Sequence, residues 1–154
     1  MVSVNERLKE LDMELPEPPA PVAAYVPAVK AGDFIFISGQ LPLAKGKLVY
    51  PGRVGDRVSL EDAQHAAKIA ALNCLAVLGS MIDLDGDFQV VKLTGFVASG
   101  RDFFDQPKVV NGASQFLLYV LGDRGRHARA AVGVSALPLG APVEIEMIVH
   151  TGGK

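Results

Sequence analysis

Arginine, two glutamates and two very small residues recur at alternate positions near the C-terminal end of the chain. Arg129, Ala131 and Gly133 lie in one predicted strand, Arg129–Ser135, and Glu144 and Glu146 in the next, Val143–Val149. A guanidinium is a planar fork that suits a carboxylate or phosphate bidentately. The two segments are joined by ALPLGAP and read as a C-terminal β-hairpin. If the apolar rows Ala130, Val132, Val134 and Val143, Ile145, Met147, Val149 share the core face, then Arg129, Ala131 and Gly133 share the other face with Glu144 and Glu146. The small residues would then leave space beside Arg129. In that register Glu144 falls near Gly133 or Ser135, on the order of 14–20 Å along the strand from Arg129 at ~3.4 Å per residue. That separation argues against a direct salt bridge but lets the two groups bracket a small ligand. The same residues also describe an ordinary solvated strand face.

Other groups with chemical potential are weaker signals. His65, His127 and His150 have no metal-like spacing with cysteine or acidic residues, so no metal site is expected. No phosphate-binding loop, dinucleotide glycine pattern or G-x-S-x-G elbow occurs, and no cofactor is implied. Ser38, at the end of the strand Asp33–Ser38, is either a cleft residue or a strand-terminating hydroxyl. Cys74 lies on the apolar face of a helix and reads as inert core. The loop DRGRHAR (123–129) carries three arginines and a histidine. Without an aromatic platform it reads as a solvated loop more than a nucleic-acid contact. Tyr25 either lines a pocket or covers core.

These residues need a scaffold, and the chain punctuates one. A short helix is expected over Val4–Leu11, followed by a proline-dense arm, ELPEPPAPVAAYVP, lying across the domain. Asp33–Ser38 is β-branched and aromatic between Gly32 and Gly39, and a weak strand near Leu48–Tyr50 could pair back onto it. Ser59-Leu60-Glu61-Asp62 resembles a capping box, opening a helix to about Met81 whose alanines suit close packing on a sheet. A strand over Val90–Ser99 and a helix from about Gln106 to Leu121 follow, with Pro107 in its first turn and Gly122 as its C-cap. Strands alternating with two main helices predict an α+β fold, an α/β sandwich with the helices on one face of a mixed sheet.

Composition narrows the setting. The chain has 154 residues, 49% of them apolar, which suits a single domain spanning 1–154, with the N-terminal helix and arm at about 1–27. A net charge of −2 gives no global field favouring nucleic acid or anionic membrane. One cysteine permits no internal disulfide, no apolar run reaches ~20 residues, and MVSVNERLKELDMELPEPP has no signal-peptide core. A cytoplasmic location without membrane association is expected.

The motifs together resemble the RidA/YjgF family, also labelled L-PSP endoribonuclease. Gly32 and Ser38-Gly39-Gln40-Leu41-Pro42 are similar to its N-terminal strand motif. Arg129-Ala-Ala-Val132, Leu137-Pro138 and Val143-Glu144-Ile145-Glu146 are similar to its C-terminal signature at the same spacings. Asn111 falls at the family's helix asparagine and Tyr25 at its arm tyrosine. The resemblance covers nearly all residues after about 20, and the length and the AVGV and LPLGAPVE segments resemble the longer YjgF-like branch. It implies a chorismate-mutase-like α+β fold and a homotrimer with clefts between subunits. It also implies hydrolysis of enamine or imine intermediates (2-imino acids) to 2-oxo acids and ammonia. In that scheme Arg129 holds the substrate carboxylate and Glu144 positions or activates water. Ser38 and Gly39 supply polar contacts, and Tyr25, Asn111 and Ala131 line the cleft. The archetype has cysteine at the position of Ala131 and glutamate at that of Gly133, changes expected to enlarge and neutralise the pocket floor. A non-catalytic trimeric binder of small carboxylates and an endoribonuclease or translation inhibitor are the alternatives.

Overall fold

The computed structural model describes residues 2–20 and 24–152. Helix α1 (Val4–Glu10) opens with a capping box in which Ser3 and Glu6 satisfy each other's backbone N–H groups. Leu11 and Asp12 form a turn, and Leu11, Met13 and Leu15 pack against the core. The arm's residues 21–23 lie outside the described residues.

Five strands form one sheet: β1 (Ala28–Ala31), β2 (Phe34–Gln40), β5 (Gln89–Ala98), β6 (Ala128–Val134) and β7 (Val143–His150). A separate two-stranded ribbon pairs β3 (Leu43–Ala44) with β4 (Lys47–Leu48). The expected weak strand is therefore present, shifted, and pairs with β3, not with β2. Strand β1 had no counterpart in the sequence reading, because AVKA is short and follows the proline-dense arm.

Helices α2 (Leu60–Gly79) and α3 (Gln106–Leu121) pack on one face of the sheet, giving the expected α+β layers. The Ser59 hydroxyl accepts from the Asp62 N–H to cap α2. Most of α2 is buried because it packs against both the sheet and α3. At the α2–α3 crossing, a Cβ on Gly112 would come 2.7 Å from the Gln64 carbonyl carbon, so glycine there permits the close approach. Core-facing β7 residues Val143, Ile145, Met147 and Val149 are almost fully enclosed.

The sheet order is β1-β2-β7-β5-β6, and this corrects the C-terminal hairpin. Strands β6 and β7 are not partners; both flank β5, parallel and antiparallel to it respectively. The β5–α3–β6 segment is a crossover unit, which delivers a parallel neighbour. The intervening 135–142 turn passes over the end of β5, where Ser99 N donates to Val134 O and Ala98 N to Pro142 O. Through β5 the rows are Leu93–Arg129–Met147 and Gly95–Ala131–Ile145 on the helix face. Thr94–Ala130–Glu146 and Phe96–Val132–Glu144 lie on the other. The alternation within each strand is as the sequence predicts, but β6 is turned over: Arg129, Ala131 and Gly133 face the helices, while Glu144 and Glu146 face away.

That open face also carries an apolar patch. It carries Phe34, Phe36 and Val132, which are 40%, 45% and 42% exposed, together with Phe96 and Ile148.

Candidate functional site

The seven candidate residues separate into two clusters. On the helix face of edge strand β6, the Arg129 Nη1 group donates to Asn111 Oδ1 at 2.8 Å and to Ser114 Oγ at 3.2 Å, both on α3. An open groove of about 450 Å³ adjoins them, lined by Asn111, Ser114, Leu118, Arg126, His127 and Arg129. Ala131 lies two residues along the same face, packed against the core. Among the described residues Arg129 has no carboxylate partner.

The space expected over the small residues is filled by their neighbours. A Cβ on Gly95, in the row of Ala131, would collide with Val110 of α3. A Cβ on Gly133 would come 2.8 Å from Gln106 Nε2 and 3.0 Å from Ser99 Oγ. The small residues admit α3 against the sheet; they do not enlarge a pocket floor.

The second cluster lies on the open face around β2 and β7. The pairing passes from Ile37↔Met147 to Gln40↔Ile145, so Ser38 and Gly39 form a bulge. Gly39 lies directly against the Glu144 side chain, where a Cβ would come 2.8 Å from Glu144 Cδ. Burial in first place, and the neighbouring Glu146 charge in second, raise the Glu144 carboxyl above its ordinary range. Such a carboxylate is a stronger base than an exposed one. Ser38 spends its hydroxyl on Val26 O at 2.7 Å and its N–H on Pro27 O at 2.8 Å, fastening the incoming arm to β2. Tyr25, just before that fastening, is 61% exposed.

Sequence reasoning did not connect Ser114 and His127 with Arg129. The spacing held the signal: Ser114 is one turn beyond Asn111 on α3, and His127 is two residues before Arg129, on its alternation. His127 Nε2 lies 2.9 Å from Ser114 Oγ, and its Nδ1 2.6 Å from Gly125 O.

The arginine-rich loop is largely structural. Arg124 donates to Leu84 O and Gly86 O and stacks on Phe88, and Arg126 pairs with Asp123. Cys74 is fully enclosed, and burial drives its thiol pKa far upward, against reactivity. Among the described residues no group of His, Cys, Asp and Glu could hold a metal ion, and no helix is long and apolar enough to cross a membrane.

Comparison with known proteins agrees with this architecture. The family model described as Endoribonuclease L-PSP matches residues 16–151. A crystal structure of a protein of unknown function from Agrobacterium tumefaciens superposes with a TM-score of 0.92 at 45% identity, covering 97% of this chain and 92% of that one. Protein TCP17 of Trypanosoma cruzi is 40% identical over 96% of this chain and 93% of its own length. The 2-iminobutanoate/2-iminopropanoate deaminase of Mus musculus is 36% identical over 87% and 86%. With a family match over nearly the whole chain and relatives this similar, the chain belongs to the RidA/YjgF (L-PSP) family.

Proposed function

We propose that this protein hydrolyses 2-imino acids to 2-oxo acids and ammonia at sites shared between subunits of a homotrimer. The observation that carries this reading is the division of the candidate residues between opposite faces of one sheet. Arg129 with Asn111 lies on the helix face of an edge strand, and Glu144 with Gly39 on the open face. A ligand touching both needs a second copy of the chain. The exposed apolar row on the open face is a surface such a copy would cover. The similarity to a named imine deaminase supports the reaction class.

In this reading the Arg129 guanidinium binds the carboxylate of R–C(=NH)–COO⁻. Glu144 takes a proton from water as its oxygen adds to the imine carbon. The proton passes to nitrogen to give the carbinolamine R–C(OH)(NH2)–COO⁻. Glu144 then takes the hydroxyl proton and delivers it to the amine as the C=O bond forms and the C–N bond breaks, and R–CO–COO⁻ and ammonia leave. An imine carbon is already electrophilic, so orientation and one well-placed base suffice. Ser38 fastens the arm that carries Tyr25, and Tyr25, Asn111 and Ala131 line the cleft. The ribonuclease reading draws less support, because Arg124 is spent on the Leu84 and Gly86 carbonyls and Arg126 pairs with Asp123.

The test is ammonia release from 2-iminobutanoate generated in situ by an amino-acid oxidase. Turnover by the wild-type chain and a loss of roughly 100-fold or more in Arg129→Ala are expected, since a bidentate charge-assisted pair is removed. Saturable 2-oxo acid binding without ammonia release would identify a binder instead. Unchanged turnover in Arg129→Ala would remove the role given to that residue.

A further inference from the structure

His127 and Ser114 form a chain of hydrogen bonds behind Arg129 whose direction can be worked out. A backbone carbonyl only accepts, so the 2.6 Å contact with Gly125 O places a proton on His127 Nδ1. Desolvation first, and the Arg129 charge as well, lower the His127 pKa against the opposing Gly125 bond, which favours the neutral ring. The Nε2 atom of that ring then accepts from the Ser114 hydroxyl at 2.9 Å. With its proton committed, Ser114 Oγ turns a lone pair to Arg129 Nη1, which donates to it at 3.2 Å. The second Nη1 hydrogen goes to Asn111 Oδ1 at 2.8 Å.

Both hydrogens of Nη1 are therefore spent within the protein. Among the described residues Nε and Nη2 make no hydrogen bond. A carboxylate can meet a guanidinium end-on, across Nη1 and Nη2, or side-on, across Nε and Nη2. Here the end-on fork is occupied and the side-on edge is open.

We propose that Ser114 and His127 are positioning residues that lock Arg129 so that it offers a ligand carboxylate its Nε/Nη2 edge. This rests on the proposed role of Arg129 as the carboxylate anchor. His127 acts only through Ser114, so the two should behave as one unit. Lysine at position 129 cannot substitute, having neither the fork nor its edge.

The probe is pyruvate, titrated calorimetrically into the full-length protein at pH 7.5. Ser114→Ala and His127→Phe should each weaken binding about 5- to 10-fold, as expected for loss of one positioning hydrogen bond that does not itself touch the ligand. The double variant should be no weaker than either single one. Ser114→Thr, which keeps the hydroxyl, should bind within about twofold of wild type. Thermal melts verify folding, and His127→Gln replaces His127→Phe if the latter does not fold. In 1H–15N spectra, the Nε–H resonance that disappears in Arg129→Lys should move on pyruvate addition. Wild-type affinity in Ser114→Ala and His127→Phe, additive losses in the double variant, or an unmoved Nε–H resonance would overturn the relay while leaving Arg129 as anchor. Undiminished binding in Arg129→Ala would instead overturn the anchor, and the relay with it.

Discussion

Gly39→Ala should separate catalysis from stability. The new Cβ would come 2.8 Å from Glu144 Cδ and 3.0 Å from Glu144 Cγ and would overlap the carboxylate. Ordinary contact begins near 3.4 Å, so the Glu144 side chain must swing aside, carrying its carboxylate on the order of 1 Å or more. The obstacle is the far end of a half-exposed side chain, not backbone, so the fold can yield at the cost of a changed rotamer, about 0.5–1.5 kcal/mol. For a domain of this size that is a fall in Tm of roughly 1–6 °C. A misplacement of ~1 Å at a catalytic group costs on the order of 100-fold in rate. The expected pattern is thus near-wild-type melting with ammonia release from 2-iminobutanoate down about 100-fold. Pyruvate affinity should change far less, because Arg129 lies on the other cluster. Differential scanning fluorimetry, the coupled oxidase assay and calorimetry read the three quantities. Wild-type turnover in a folded Gly39→Ala protein would show that the position of Glu144 is not used. A fall in Tm beyond about 10 °C would show that Glu144 cannot move as supposed.

Four other outcomes follow from the same geometry. Glu144 must be ionised to act as a base, and its pKa is raised by burial and by Glu146. The acid limb of kcat/KM should therefore lie above the ordinary carboxylate range and shift downward in Glu146→Gln; a wild-type limb at or below the ordinary value refutes this. An acid whose folded-state pKa is raised contributes stability at low pH that is lost as pH rises through that pKa, so Glu144→Gln should melt no lower than wild type at pH 7. Gly112→Ala should lower Tm by roughly 2–4 °C, because its Cβ meets the Gln64 backbone and about 2 kcal/mol of overpacking exceeds the ~1 kcal/mol helix-propensity gain; unchanged melting would mean that α2 and α3 separate freely. Phe36→Asp, on the open sheet face, should reduce the solution mass measured by light scattering, and a mass unchanged from wild type would count against that face as a subunit interface.

Much of the scaffold was legible because the local signals agree with the global fold. Pro107 near the start and Gly122 after the end bracket α3, and the predicted and observed spans coincide. Glycine, proline and β-branched residues similarly bracket β2 and β5. The error at β6 is more instructive. Strict alternation says which residues share a row; it says which way the row faces only if one face of the sheet is polar. Here Val132 and Phe96 belong to the open face along with Phe34 and Phe36, while Arg129 is accommodated on the helix face by Asn111 and Ser114. Both faces of the edge strand thus offer apolar rows, and the pattern cannot choose between them. The crossover β5–α3–β6 makes β6 a parallel neighbour of β5, and the pairing of β7 with the other edge of β5 is what removes the β6–β7 hairpin. Turning β6 over moves Arg129 and Glu144 from one shared face to opposite faces, and with that the single-chain pocket is lost. The apolar open face that made the register ambiguous is also the surface that leads us to propose a second copy, and only such a copy can bring a glutamate like Glu144 to an arginine like Arg129.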